Sequence, residues 1–382
     1  MTLAALSWQC RDSDWTLLEL GPASVASGGA TSLHSLGPDT ASDRSDTPAA
    51  PAAGEVALPL KEQLDLACGS GALTSSGESQ IYRKPYLQNV TATSAVVLFT
   101  TREPVDSATL HVSLPGGAAR DVATEVDPAD ATGNQRRALL TALEPGTVYC
   151  YRVEDWTEPV GFRTAPRSGD DGTVRFLAFG DSGGESRELV RQGMDRVPFD
   201  LILHAGDIAY MRGTLSEFES TFFETYAELI ARFPIFPASG NHEHWTADAA
   251  PYRQVFALPE NGAPDGLERW FSFDWGIAHF IALDTELVGN AQADWLERDL
   301  SQNTLPWKIA YLHKPPYSSG AHGSSLDVRE AFAPLFERFH VQLVIAGHEH
   351  DYERTKPLTG VTYVVSGGGG FGLRVVGSSD FT

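Results

Sequence analysis

The run "VIAGHEHDYER", Val344 to Arg354, empties an apolar segment into two histidines, a glutamate and an aspartate. A protein core does not tolerate such groups without partners. Four other apolar runs end the same way. "FLAFG" leads to Asp181, "LILHAG" to Asp207 with Tyr210 three residues on, "IFPASG" to Asn241, His242, Glu243 and His244, and "IAYL" to His313. Singly, each has an ordinary explanation: Gly-Asp makes turns and helix caps, a histidine beside prolines sits on a surface, and a tyrosine fills a core. Together, His313, His348, His350, Asp181, Asp207 and Asn241 form a set that chance rarely places at five strand ends. Oxygen donors mixed with imidazoles and no thiolate suit iron, zinc or manganese. Six or seven donors exceed the needs of one tetrahedral zinc. They suit two ions about 3.5–4 Å apart sharing one carboxylate, a clamp for in-line displacement at phosphorus that also brings the pKa of water toward about 7. If the strand stays extended through His350, residues two apart share a face, which leaves open whether His348 and His350 serve one ion or two.

The positioning elements are legible as apolar runs of strand length. "VRFLAFG", "FDLILHAG", "FPIFPASG", "AHFIALD", "WKIAYLH" and "VQLVIAG" alternate with helical segments at Glu185–Asp195, Asp294–Leu300 and Val328–Phe339. This predicts a layered α/β domain over residues 173–382 with sheets buried on both faces, and ligands in such sheets gather at the carboxyl ends of strands. From 79 to 166 the texture differs: "SAVVLFTT", "SATLHVSL", "RRALLTAL" and "TVYCYRV" are short runs broken by turn signals, which predicts a small all-β sandwich. Residues 1–78, rich in Ser, Ala, Gly, Asp and Pro, read as a flexible arm or linker, with one short helix admissible in "EVALPLKEQLDLA".

The composition restricts the partners. Lys and Arg total 28 against 50 Asp and Glu, a net charge of −22 over 382 residues, which argues against nucleic acid or an anionic membrane surface. A phosphate-like ligand therefore needs a local positive site. No apolar stretch approaches the length of a spanning helix. The three cysteines, Cys10, Cys68 and Cys150, lack metal-type spacing; a Cys10–Cys68 bridge is left open. The sequence does not set the oligomeric state.

"GDSG", "GDIAY", "GNHE", "YLHKPPY" and "GHEHDYER", in this order, resemble the five-block signature of the calcineurin-like metallophosphoesterases, specifically their purple acid phosphatase branch. "RKPYLQNVTATSAVVLFTT" and the turn around Tyr149 resemble the fibronectin type III-like N-terminal domain of that branch. The resemblance implies an α/β/β/α sandwich preceded by the β-sandwich, and an acid phosphatase using in-line attack of a metal-bound hydroxide on phosphate monoesters; phosphodiester or nucleotide/diphosphate hydrolysis is the alternative. It implies a ferric ion on Asp181, Tyr210 and His350, and a divalent iron, zinc or manganese on Asn241, His313 and His348, with Asp207 bridging. His242 and His322 are then the catalytic histidines on the substrate side, Gly323 departing from a second histidine often found there. It further implies small phosphorylated substrates and an extracellular or periplasmic location. Members usually continue past "VSGGGG" with further strands, so the C-terminus is expected to be either that of a compact variant or a truncated one.

On the same reading Glu349 is a spacer facing away, and Glu349→Gln is expected to cost little. Glu243 and His244 are read as orienting ligands or facing solvent, Lys314 as solvated, and Gly367 to Gly370 as a turn near the site.

Overall fold

The structure is a computed structural model that describes residues 16–20 (backbone only), 58–262 and 268–382. The C-terminal domain is built on two sheets. In the first, strands run in the order Thr16–Leu20, Val174–Phe179, Leu201–Ala205 and Ile235–Ala238; the last three are parallel and the first pairs antiparallel at the edge. The second has the order Phe271–Trp275, Ala278–Leu283, Trp307–Leu312, Leu343–Ala346, Thr362–Ser366 and Tyr352–Arg354, with four parallel strands flanked by antiparallel ones.

Side-chain alternation sorts these strands into layers. Ile309 and Tyr311 enter the core between the sheets, whereas Ala310 and Leu312 enter a second core with Leu296 and Leu300 of helix Asn290–Gln302 and Phe332 and Phe336 of helix Leu326–Arg338. Across the sheets, Phe176 meets Phe280 edge-on at 5.2 Å and Phe236 stacks on Phe273 at 3.8 Å. Phe179, of opposite parity to Phe176, faces Tyr226 of helix Glu224–Ile230 on the outside. Both faces of each central strand are thus covered, which is why their sequences are unbroken apolar runs. The predicted α/β/β/α layering is what forms.

The N-terminal domain is a sandwich of two four-stranded antiparallel sheets, spanning Ile81–Gln88 to Val160–Arg163. The Tyr149 hydroxyl accepts from the Glu144 amide at 2.9 Å, the tyrosine-corner contact expected at that turn.

The flexible arm predicted for residues 1–78 needs correction in its described part. Helix Leu60–Ala67 buries Leu64 against Gly161 of the sandwich and Leu60 beside Met194, Phe199 and Phe233 of the second domain, and Cys68 is disulfide-bonded to Cys150, not to Cys10, which lies outside the described residues. Asp65 also pairs with Arg232 of the second domain at 2.6 Å, while Arg232 donates to the Ser70 carbonyl. The segment is therefore a clasp between the domains. Further bonds cross the same boundary: Arg83 Nε to Glu219 (2.9 Å), and the Tyr86 and Tyr151 hydroxyls to the Val255 and Ala231 carbonyls. Among the described residues, no helix is long and apolar enough to cross a membrane.

Candidate metal centre

Five strand ends deliver their polar residues to one edge, as the apolar runs predict. The chain makes these turns under tight constraint: Asp181, Asp207 and His348 all adopt left-handed backbone, with φ of 61°, 54° and 70°. Such conformations are costly for residues with a Cβ and persist where the surroundings over-determine them, typically at functional sites. Glycines before His348 and before Asn241 allow the loops to interlock. A Cβ on Gly240 would lie 2.1 Å from Asp207 Oδ1, and one on Gly347 would lie 2.6 Å from Asp181 Oδ2.

The left-handed turn at His348 also answers how two histidines two residues apart are used. Because the strand ends at Ala346 and the backbone reverses at His348, the two rings do not share a face. His348 Nδ1 turns toward His313 Nε2 at 3.2 Å, whereas His350 Nε2 faces Asp181 Oδ1 at 3.4 Å and the Tyr210 hydroxyl at 3.5 Å.

The donor atoms fall into two groups that meet at one oxygen. On one side the Tyr210 hydroxyl lies 2.9 Å from Asp181 Oδ1 and 3.0 Å from Asp207 Oδ2, next to His350 Nε2. On the other, His313 Nε2 lies 3.1 Å from Asn241 Oδ1, 3.2 Å from His348 Nδ1 and 3.3 Å from the same Asp207 Oδ2. Metal–ligand bonds of about 2.0–2.2 Å in tetrahedral or octahedral geometry place neighbouring donors about 3.0–3.4 Å apart, which is the spacing seen. Asp207, His313 and His348 by themselves form a compact ligand group.

Protons alone serve this arrangement poorly. One phenolic hydrogen faces two carboxylate oxygens, and one Nε2 hydrogen on His313 faces three acceptors, so each can satisfy a single neighbour. A cation in each group would meet all of its donors at once. The electrostatics agree. Burial, then the Asp181 and Asp207 carboxylates, push the Tyr210 phenol far above its usual range. Burial disfavours a charge on His313, yet Asp207 and Asp181 raise it to about 10. Burial and the neighbouring imidazoles lower His348 to about 2, which leaves its lone pair free for a ligand. The residues present therefore fit two cations.

Around the donors, backbone carbonyls fix the rings: His313 Nδ1 donates to Ala205 O (2.8 Å) and His350 Nδ1 to Gly372 O (3.1 Å), leaving the opposite nitrogens directed inward. His242 donates Nδ1–H to Met211 O at 2.6 Å and places Nε2 3.6 Å from Asp207 Oδ2; its amide also donates to Asp207 Oδ1. His322 lies at the mouth, its ring 4.5 Å from that of His348 and its side chain half-exposed.

Two glutamates act beneath the site. Glu243, fully buried, accepts the amides of Asp207, Ile208, Ala209 and Gly240 at 2.8–3.0 Å, tying the Asp207 and Asn241 loops together; burial and Asp207 raise its pKa to about 7. Glu349 corrects the expectation of a spacer. It is fully buried and accepts the amides of Ala321, His322 and Gly323, so it anchors the loop that carries His322. The reversal at His348 turns it inward. Lys314 is ion-paired with Glu286 at 2.6 Å, not simply solvated.

The strap 367–374 supplies parts that the motifs do not announce. Phe371 stacks on Tyr210 at 4.1 Å and 15°, and its amide donates to Asp181 O. Gly372 holds His350, and Arg374 Nη1 donates to His322 Nδ1 at 2.8 Å. The only sequence signal there is the glycine run: Gly369 approaches Gly180 too closely for a Cβ, which would sit 2.1 Å from its carbonyl oxygen.

Residues 174–352 match the calcineurin-like phosphoesterase family, which defines the class of the C-terminal domain. Residues 83–167 match the purple acid phosphatase N-terminal domain. The chain therefore contains a calcineurin-like phosphoesterase domain preceded by a purple acid phosphatase N-terminal domain. Acid phosphatase type 7 of Mus musculus is 31% identical over 58% of this chain and 57% of its own length. Probable inactive purple acid phosphatase 1 of Arabidopsis thaliana is 28% identical over 68% of this chain and 52% of its own. The chain thus spans a little over half the length of these curated relatives. In fold it resembles the purple acid phosphatase PPD1 of yellow lupin, with TM-score 0.68 and 21% identity over 78% of this chain and 66% of that one.

Proposed function

We propose that the protein is a dinuclear-metal hydrolase that removes terminal phosphoryl groups from phosphate monoesters, of the acid phosphatase type. The observation that carries this reading is the position of Asp207 Oδ2, shared by the Tyr210–Asp181–His350 group and the His313–Asn241–His348 group. Asp181, Tyr210 and His350 would hold a ferric ion, Asn241, His313 and His348 a divalent iron, zinc or manganese, and Asp207 both. Bound there, the pair supplies charge neutralisation for a phosphoryl group and water acidified toward neutral pH.

The chain's own residues set the geometry. His242, tethered to the Met211 carbonyl, presents Nε2 over the shared carboxylate, where a proton on it reaches a phosphoryl oxygen. His322 stands at the exposed mouth beside His348, where it would donate a proton to a departing alkoxide. Asp207 turns its second oxygen to the His242 amide and so stays fixed between the two groups. Several relatives are described as probable inactive, which gives weight to a full donor set: all seven positions are filled here. The Cys68–Cys150 disulfide supports an oxidising location, extracellular or periplasmic, and the net charge of −22 supports small phosphorylated substrates over nucleic acid or an anionic membrane.

The test is hydrolysis of an aryl phosphate and a bis-aryl phosphate by metal-reconstituted protein at acidic and neutral pH. The monoester should be cleaved at least tenfold faster. Faster cleavage of the diester would favour the phosphodiesterase alternative, and cleavage of neither would overturn the reading.

A further inference from the structure

Arg374 is a cation in an acidic environment with half of its guanidinium uncommitted. Nη1 is occupied: it donates to His322 Nδ1 at 2.8 Å and to the His348 carbonyl at 3.3 Å, and lies 3.7 Å from Glu349 Oε2. The bonds of Arg374 side-chain nitrogens among the described residues all run through Nη1, so the Nη2 and Nε edge is open, and the side chain is one-third exposed at the site mouth. Its backbone is pinned, the amide donating to His350 O at 2.8 Å. A guanidinium held by one corner with a free two-donor edge facing solvent is built to take a second anion in a fork, which is the geometry of arginine–phosphate recognition.

Its location says which anion. Arg374 touches His322, the residue on the leaving-group side under the proposed function. An alkoxide leaving group needs a proton from His322. A phosphate leaving group does not, but it gains negative charge as the bond breaks, and a neighbouring guanidinium stabilises that charge. In such a reaction the water oxygen bonds to the terminal phosphorus and the bridging P–O bond breaks. The electron pair stays on the departing phosphate, and the water proton passes to solvent.

We propose, building on the function above, that Arg374 is a second anion contact that favours substrates whose leaving group is itself a phosphate: phosphoanhydrides such as nucleoside diphosphates, cleaved at the terminal phosphoryl group. Substrate choice is then set at the strap, away from the motif residues.

The experiment compares kcat/KM for a nucleoside diphosphate and for an aryl monophosphate in the wild-type protein, Arg374→Ala and Arg374→Lys. Arg374→Ala also frees His322, so both rates fall; the diagnostic quantity is their ratio, in which this shared loss cancels. The diphosphate-to-monophosphate ratio should fall at least tenfold in Arg374→Ala and less in Arg374→Lys, which keeps the charge but loses the fork. An unchanged ratio in both variants would overturn the proposal. Calorimetric binding of inorganic pyrophosphate and orthophosphate gives a reading independent of turnover: wild-type protein should prefer pyrophosphate, and Arg374→Ala should lose that preference. Equal preference in the two proteins would contradict the arginine contact, whereas binding without hydrolysis of any substrate would contradict the function on which it rests.

Discussion

The two sides of the metal centre are built by different means. On one side, strands that are buried on both faces stop abruptly and release Asp181, Asp207, Asn241 and His348 from left-handed or glycine-flanked turns, and His313 directly from the end of Trp307–Leu312. On the other, the strap 367–374 runs across the opening and contributes a carbonyl, an aromatic face and a guanidinium. The first side would hold cations through side chains whose chemistry is fixed by residue type. The second shapes the outside of that site through contacts that many sequences could make. Metal binding should therefore reside in the strand ends, and substrate preference and ring orientation in the strap.

The sharpest way to break this division is Asp207→Asn, which removes the charge shared by both groups. A loss of kcat/KM of at least ~10³-fold is expected, with metal content reduced in the same preparation; a variant retaining near-normal metal and turnover would show that Asp207 is not the bridge. Next is Glu349→Gln, at the junction of the two sides. The three amides are shared between both carboxylate oxygens, so the amide nitrogen that replaces one of them would face at least one N–H donor in a fully buried position, and a loss of about 2–3 kcal/mol in denaturant unfolding is expected. A stability equal to wild type would restore the spacer reading.

A third test confines the change to the strap. Phe371→Ala removes the ring stacked on Tyr210, and should weaken metal retention about tenfold while sparing the ligand set. No change in metal affinity would mean that the strap covers the site without tuning it. The smallest effect is expected far from both sides. His279 sits between Asp274 and Asp299, each at 2.7 Å; burial opposes its charge, but the two carboxylates raise its pKa to about 8. Since the folded value exceeds the unfolded one near 6.5, its stabilisation is complete below about pH 6.5 and is lost as pH rises through about 8, a change on the order of 2 kcal/mol. His279→Asn should flatten that part of the stability profile; an unaltered slope would place the titration elsewhere.

The same contrast explains what could be read beforehand. The six core strands and the helices around Val190, Leu296 and Phe332 follow from apolar periodicity, and the ligand candidates follow because a polar cluster at the end of a buried run needs a purpose. Periodicity could not show that Glu349 turns inward, because an extended strand would point it away from both histidines; the reversal at His348 depends on Gly347 packing beneath Asp181. Nor could it show that Leu60–Ala67 is a clasp: that depends on the Cys68–Cys150 bond and the Asp65–Arg232 pair, between residues far apart in the chain. Phe371 and Arg374 carry no local pattern at all, and only the fold brings them to the site.

The central claim is that two cations meet at Asp207, one of them bound by a phenolate. Metal analysis with a visible spectrum on freshly purified protein tests it most directly. Two metal ions per chain are expected, one of them iron, with a tyrosinate-to-iron absorption band that disappears in Tyr210→Phe while much of the metal remains. One ion or none per chain after reconstitution, or a band that survives in Tyr210→Phe, would contradict it.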